Sequence, residues 1–234
     1  MDKLRYRNEI KYLISQNEIP IIQSRLDPLM VIDKNAKNGK YLISSLYFDD
    51  YFNRSYFDVD DGTDVKDKFR IRLYDHDDSF IRLEKKHKRN NMTMKKSCSV
   101  DKEMTDLLIK GGYPRDIAGK SAVLLELTYK IMSSRYKPVI IVDYERIPYV
   151  YKEGNVRITL DMNIESSVDI DNFLRYPRYR RPVLPEGVHL LEVKYDEFLP
   201  DFIYGLLNDL NLQQISFSKY YLSRKYNVNG GISL

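Results

Sequence analysis

The sequence predicts an α+β fold: one antiparallel β-barrel of eight strands with helices packed against its outside. Three observations point there. Residues 68–74 (KFRIRLY) and 81–88 (IRLEKKHK) alternate basic and apolar side chains, and on a strand alternate residues share a face. The same charged parity recurs along five or six segments, each with an apolar opposite parity. Segments between them carry apolar residues at helical spacing, enough to cover an outer apolar face.

The elements follow in order. Residues 6–14 alternate as a first strand, with Arg7, Glu9 and Lys11 on one face. Ser15 is placed to cap a helix over 18–30 (EIPIIQSRLDPLM), and NAKNGK reads as a loop. Residues 41–50 (YLISSLYFDD) form a second strand, followed by an aromatic-rich segment running to DVDDGTD that seals one barrel end or the outer core. Three strands come next at 66–75, 79–88 and 92–100, joined by DHDDS and RNN turns. Helical patterns cover 101–112 and 118–134. Strands resume at 137–150 and 155–164 around the YKEGN hairpin, then again at 189–197 after the basic, proline-containing loop 175–187. A helix over 198–210 and a final helix or turn over 216–226 close the pattern. No repeat or second domain is visible, so the prediction is a single domain over 1–234.

Composition narrows the function. The 234 residues are 43% hydrophobic and 31% charged, enough for one large core. Net charge is only +4, from 38 basic and 34 acidic residues. Bulk attraction to nucleic acid or to an anionic membrane is therefore not indicated, and a strong anion site has to come from segregated charge. The single Cys98 favours a reducing compartment, and no apolar run of leader or membrane-span length occurs, so a cytoplasmic location is expected. A membrane-protein partner stays open. His76, His87 and His189 lack metal-ligand spacing, and Cys98 reads as a packing residue.

The charged stripes carry the chemistry. Glu9 with Lys11, Arg70 with Arg72, Glu84 with Lys86, Tyr144 with Arg146, Arg157 with Thr159 and Asp161, and Glu192 with Lys194 each share a parity. The apolar parity holds Phe69, Ile71, Leu73, Ile81, Leu83, Ile140, Val142, Val156, Ile158 and Leu160. Any one stripe alone reads as a solvated sheet face. Together, in a closed barrel with helices outside, they turn inward. Crowded cations in such an interior repel and lose water. A multiply charged anion resolves that, with Arg as a planar fork for phosphate and Lys as a movable charge. The few Glu residues can then share a divalent metal with phosphate oxygens.

At these residues the chain resembles the VTC-type polyphosphate polymerase domain of the triphosphate tunnel metalloenzyme (CYTH-like) superfamily. The resemblance spans RYRNEIKYLI to ISFSKYY. It rests on NEIKY, LYFDD, FRIRLY, LEKK, TMKKS, YER, VRITLD, LLEVK and FSK in that order. It implies a tunnel fold in which Arg70 and Arg72 grip nucleotide phosphates, Lys86 binds phosphate on the next strand, and Arg146 and Arg157 are arginines of the later tunnel strands, these five forming the catalytic set. It implies phosphate contacts from Lys11, Lys95, Ser218 and Lys219, and Mn²⁺ or Mg²⁺ at Glu192 and Glu9. Whether Lys95 or Lys96 faces inward is left open. The implied reaction moves the γ-phosphoryl of ATP onto inorganic polyphosphate. Hydrolysis of tripolyphosphate or a nucleoside triphosphate in the same tunnel, and a non-catalytic polyanion-binding module, are the alternatives. Two departures matter. Arg7 stands where the superfamily often has a second glutamate, which counts against hydrolysis. Ser216 precedes FSK where a basic residue is common, which implies weaker polyanion binding at that end. The resemblance extends to no inositol-phosphate-sensing SPX domain in this sequence.

Overall fold

A computed structural model describes residues 6–90, 92–210 and 212–228. The elements are β1 (Arg7–Ser15), α1 (Glu18–Leu26), β2 (Val31–Ile32), β3 (Tyr41–Asp49), α2 (Arg54–Asp60), β4 (Val65–Tyr74), β5 (Asp77–Arg89) and β6 (Met92–Val100). They continue as α3 (Lys102–Ile109), α4 (Ala122–Ser134), β7 (Lys137–Tyr151), β8 (Val156–Ser167), β9 (Arg181–Pro182), β10 (Val188–Tyr195), α5 (Asp201–Asn208) and α6 (Lys219–Val228). The eight longer strands are the eight predicted ones. Every pairing is antiparallel, and the order β3-β4-β5-β6-β1-β10-β8-β7 returns to its start because β7 pairs with both β8 and β3. The thinnest seam among the described residues joins β1 to β6, where Arg7 faces Thr93 and Asn8 faces Met92.

The strand count was short by two. β2 and β9 are two-residue additions alongside β7 and β8, too brief to show alternation. Helix α1 also ends earlier than predicted, at Leu26. Asp27 keeps helical dihedrals and still donates to the Gln23 carbonyl, but Pro28 has no N–H with which to continue the ladder. Ser15 does not cap it. Asn17 occupies that position, and the Ser15 N–H and hydroxyl both donate to the Glu18 carboxylate. Helix α2 lies in the aromatic segment that gave no helical pattern.

Three apolar clusters hold the ring. On one outer flank, Phe69, Ile71, Leu73, Ile81 and Leu83 pack against Leu108 of α3 and Leu124, Leu127 and Ile131 of α4. Cys98 packs beside this cluster, in the role predicted for it. On the other flank, Val156, Ile158 and Leu160 meet Ile19, Ile22 and Leu26 of α1 and Ile203 and Leu207 of α5. The third cluster corrects the predicted apolar parity. Ile140 and Val142 share their parity with Tyr144 and Arg146, so they face inward and pack with Ile43, Leu190, Phe217 and Tyr220. Part of the interior is thus filled with hydrocarbon, and the outward residue of that stretch is Ile141, in the first cluster.

The LYFDD segment shows how strand ends are fixed. Its parity sends Tyr47 inward and Phe48 into the outer core, and leaves Asp49 at the strand end, fully buried. Asp49 accepts from the backbone N–H groups of Asp50, Ser55 (2.9 Å) and Tyr56 (3.2 Å), and from the Tyr220 hydroxyl. One carboxylate thereby anchors the first turn of α2 and pins α6 to the ring. Asp49→Ala should therefore lower the unfolding free energy by about 2–4 kcal/mol, because several buried donors lose their acceptor. Urea denaturation measures this; a loss below about 1 kcal/mol would show the anchor to be dispensable.

Candidate anion-binding cavity

The inward parity encloses a cavity of about 1180 Å³, lined by thirteen basic and five acidic side chains. The lining comes from every strand of the ring and from the segment leading into α6. Closure of an alternating sheet does this directly: each strand delivers its stripe to the same space.

Arginines form the centre, and each is fixed before any ligand arrives. Arg70 gives Nε to Glu84 Oε2 at 2.8 Å, Nη2 to the same oxygen at 2.7 Å, and Nη1 to the Tyr47 hydroxyl at 3.1 Å. Arg72 donates to Ser45 Oγ and Tyr144 Oη, both at 3.2 Å, with Nη1 3.8 Å from Glu84. Lys95 reaches the other Glu84 oxygen at 2.9 Å. Burial alone would raise the Glu84 pKa, but Arg70, Arg72 and Lys95 hold it well below the carboxylate range. Opposite, Arg146 grips Asp161 with two bonds of 2.5 and 2.6 Å. Lys219 adds a third contact to Asp161 at 2.6 Å and lies 3.7 Å from Glu192. Both carboxyls are depressed against their burial, Asp161 by Arg146 and Lys219, Glu192 by Lys194, Lys219, Lys11 and Arg146.

Lysines dominate elsewhere. Glu9 bridges Lys11 (2.7 Å) and Lys86 (2.6 Å), which lower its pKa against burial. Burial, countered by Glu192 and Glu9, brings Lys194 down to about 8. Lys68 has no carboxylate partner among the described residues. Its Nζ donates to Ser218 Oγ at 3.0 Å. Burial first, then Lys86, Lys11, Lys66 and Lys88, pull its pKa well down. Glu9, shared by Lys11 and Lys86, supplies the negative charge here and makes no ion pair with Lys68.

All the predicted cationic residues, together with Glu9, Glu192 and Ser218, line the same cavity. Lys95 is the inward one of its pair, since Lys96 binds Glu126 of α4 on the outside. Arg157 lies at the wall, held by Asp33 (2.8 Å) and Tyr41 (2.7 Å). Lys11 also donates to the Phe217 carbonyl at 2.7 Å, tying β1 to the α6 entry. Sequence reasoning put Glu84, Asp161 and Lys194 on the charged stripes without choosing them as site residues, and it did not single out Lys68 or Lys88. Parity could have found Lys68 and Lys88, which stand two residues from Arg70 and Lys86. Of the histidines, His87 bonds Asp67 outside, His189 bonds Gln16, and His76 stacks on Tyr176.

Among the described residues no group of three or more carboxylate, His or Cys ligands could hold a metal by itself. Glu9 and Glu192 lie on adjacent strands, with Glu9 opposite Lys194 and Glu192 opposite Lys11 in the register. Two carboxylates in the lining of one cavity could hold a hard divalent cation, because such an ion can take one or two protein oxygens and fill its remaining positions with phosphate and water.

The comparisons agree with this geometry. The chain belongs to the VTC domain family, which it matches over residues 6–227. Similar folds occur in a proposed adenylate cyclase of Bacillus halodurans (TM-score 0.56, 14% identity, 92% of this chain and 94% of that one). A proposed adenylyl cyclase from Hippeastrum, described as having a dominant triphosphatase activity, matches with TM-score 0.55, 14% identity and 95% and 96% coverage. The PH1819 protein of Pyrococcus horikoshii matches with TM-score 0.50, 14% identity and 94% and 99% coverage. At these identities the likeness is one of fold, the triphosphate-tunnel fold. Among curated proteins, none matches the chain significantly.

Glu84 gives the sharpest test of the charge balance. Glu84→Gln leaves Arg70 and Arg72 buried without their counter-charge and should cost about 3–5 kcal/mol of stability. Tripolyphosphate should restore more stability to this variant than it adds to the wild type. Thermal denaturation with and without the anion reads both effects; equal shifts in the two proteins would mean that ligand and carboxylate do not neutralise the same cations.

Proposed function

We propose that the ring of strands is a barrel-shaped tunnel in which the γ-phosphoryl group of ATP is transferred to the end of an inorganic polyphosphate chain, with Arg70, Arg72, Lys86, Arg146 and Arg157 acting on the transferring group. The observation that carries this reading is the preorganised cation set around one enclosed cavity. Phosphoryl transfer asks little covalent work of a protein; positioning and charge stabilisation supply most of the rate. Lys11, Lys95, Ser218 and Lys219 would hold the phosphates on either side. Mg²⁺ or Mn²⁺ at Glu192 and Glu9 would supply further neutralisation of phosphate oxygens.

Transfer is favoured over hydrolysis by the state of the carboxylates. A terminal phosphate is an anionic nucleophile already, whereas attacking water benefits from a general base. An effective base has a pKa near the working pH. Glu9, Glu84, Asp161 and Glu192 are all depressed and each holds at least one cation. In the proposed step the bond from the γ-phosphorus to the β–γ bridging oxygen breaks. A bond to the terminal chain oxygen forms, and ADP leaves carrying the released charge. Hydrolysis of tripolyphosphate or nucleoside triphosphate is the second reading, supported by the fold shared with the Hippeastrum protein.

Incubation with ATP and Mn²⁺ separates the two. Transfer predicts ADP formed in step with long polyphosphate and little free phosphate; ADP matched by free phosphate with no chains would overturn transfer in favour of hydrolysis. Metal removal by chelation should stop product formation. Arg72→Ala, which removes a charge-assisted contact of roughly 1.5–3 kcal/mol, should depress turnover at least about tenfold without unfolding the protein, as circular dichroism would check.

A further inference from the structure

The cavity is chemically polar along its length. On β4 the inward parity runs from Lys66 and Lys68 through the arginine pair to Tyr74. On β5 the same parity runs in the opposite chain direction, from Lys88 and Lys86 through Glu84 to Arg82 and Phe80, the last two continuing it past the residues that line the cavity. Register places Arg72 beside Arg82 and Lys68 beside Lys86, so the lysines gather at one end and the aromatics at the other. Tyr41 of β3 joins the aromatic end, its ring centre 5.5 Å from that of Tyr74.

Among the exposed large apolar side chains, Phe80 is the one set beside Tyr74 of the cavity wall. It is 52% exposed, although its neighbour Ile81 is buried in the outer core. Its ring centre is 6.3 Å from that of Tyr74, with 36° between the planes, and the Arg82 guanidinium carbon is 5.8 Å from it. Arg82 donates to Ser97 and Ser99 and has no carboxylate partner among the described residues. An exposed aromatic ring followed inward by an unneutralised guanidinium, then by the Arg70–Arg72 pair, suits a ligand that is flat and apolar at one end and anionic at the other. The lysine end offers no equivalent face. Tyr220 there is bonded to Asp49, and Tyr221 is stacked on Tyr56 at 4.9 Å.

We infer that Phe80, with Tyr74 beside it, is the stacking platform for the base of a bound nucleoside triphosphate, and that Arg82 meets the phosphate nearest the nucleoside. The inference rests on the reading of the cavity as an ATP site and adds a direction to it. The nucleoside sits at the aromatic rim, the triphosphate runs inward over Arg72 and Arg70, and phosphate without a base occupies the lysine end.

Base-on-aromatic stacking makes Phe80→Ala worth a loss of roughly 5- to 150-fold in affinity. Isothermal titration calorimetry of ATP and of tripolyphosphate, each with Mg²⁺, tests this on wild type, Phe80→Ala and Phe80→Trp. The expected result is weaker ATP binding in Phe80→Ala, unchanged tripolyphosphate binding, and ATP binding retained in Phe80→Trp. The exposed position makes loss of folding an improbable confounder, and unaltered tripolyphosphate binding verifies an intact cavity. Phe80→Ala weakening both ligands alike, or neither, overturns the platform while leaving the cavity's function intact. Wild-type protein that binds neither ligand overturns the functional reading and the platform with it.

Discussion

Neutralisation of enclosed arginines by carboxylates from neighbouring strands is the interaction on which the rest depends. Arg70 and Arg72 are nearly buried and cannot shed their charge. Without Glu84 the closed ring would hold two adjacent guanidinium groups in a partly dry space. Asp161 does the same for Arg146 and Lys219. These pairs are not chiefly sources of stability, since buried ion pairs seldom repay their lost hydration. Their effect is to fix direction. Tyr47, Ser45 and Tyr144 take further N–H groups of the two β4 arginines, so each fork already has an orientation when a phosphate arrives. Preorganisation of that kind is what charge-stabilising catalysis requires.

The unbalanced remainder gives the cavity its affinity for anions. Basic side chains outnumber acidic ones in the lining more than two to one, although the chain as a whole is nearly neutral at +4. Segregation, not net charge, creates the potential. Lysines in the Lys68 corner depress one another, so an entering polyanion relieves repulsion as well as forming new contacts. The arginine centre presents orientation and the lysine corner presents unspent charge.

Much of this was legible from period-two alternation alone. Charge on one parity and hydrocarbon on the other identified all eight long strands and placed Lys11, Arg70, Arg72, Lys86, Arg146, Arg157 and Lys194 on the cavity side, because a register slip would expose every apolar residue at once; Lys66, Lys68 and Lys88 were missed. The reading failed where alternation carries less information. Ile140 and Val142 look like outer-face residues by composition, yet they follow the parity of Tyr144 inward. Hydrophobic residues on both faces of β7 erase the contrast that the method needs. Helix α2 escaped notice because its short span gains its start from Asp49 and its packing from α6, neither of which is local. The partners of each arginine were equally invisible, since Glu84 and Asp161 acquire their roles only through cross-strand and cross-cavity geometry.

Helix α6 shows why the site cannot be separated from the fold. Its entry carries Phe217 into the inner apolar cluster, and the Phe217 carbonyl accepts from Lys11. Ser218 then meets Lys68, Lys219 reaches Asp161, and Tyr220 binds Asp49. Four consecutive residues thus bond to side chains of β1, β4, β8 and β3, contacts that reach from residue 11 to residue 161 of the chain. Hydrocarbon packing fixes the depth of insertion, and that depth fixes where the Lys219 ammonium lies against Arg146 and Asp161. Loss of the Tyr220–Asp49 bond would therefore act at a distance, shifting a cation in the cavity without touching it. Helix α6 completes the charge pattern that β1 begins, so the cavity acquires its final electrostatics only when the two have met.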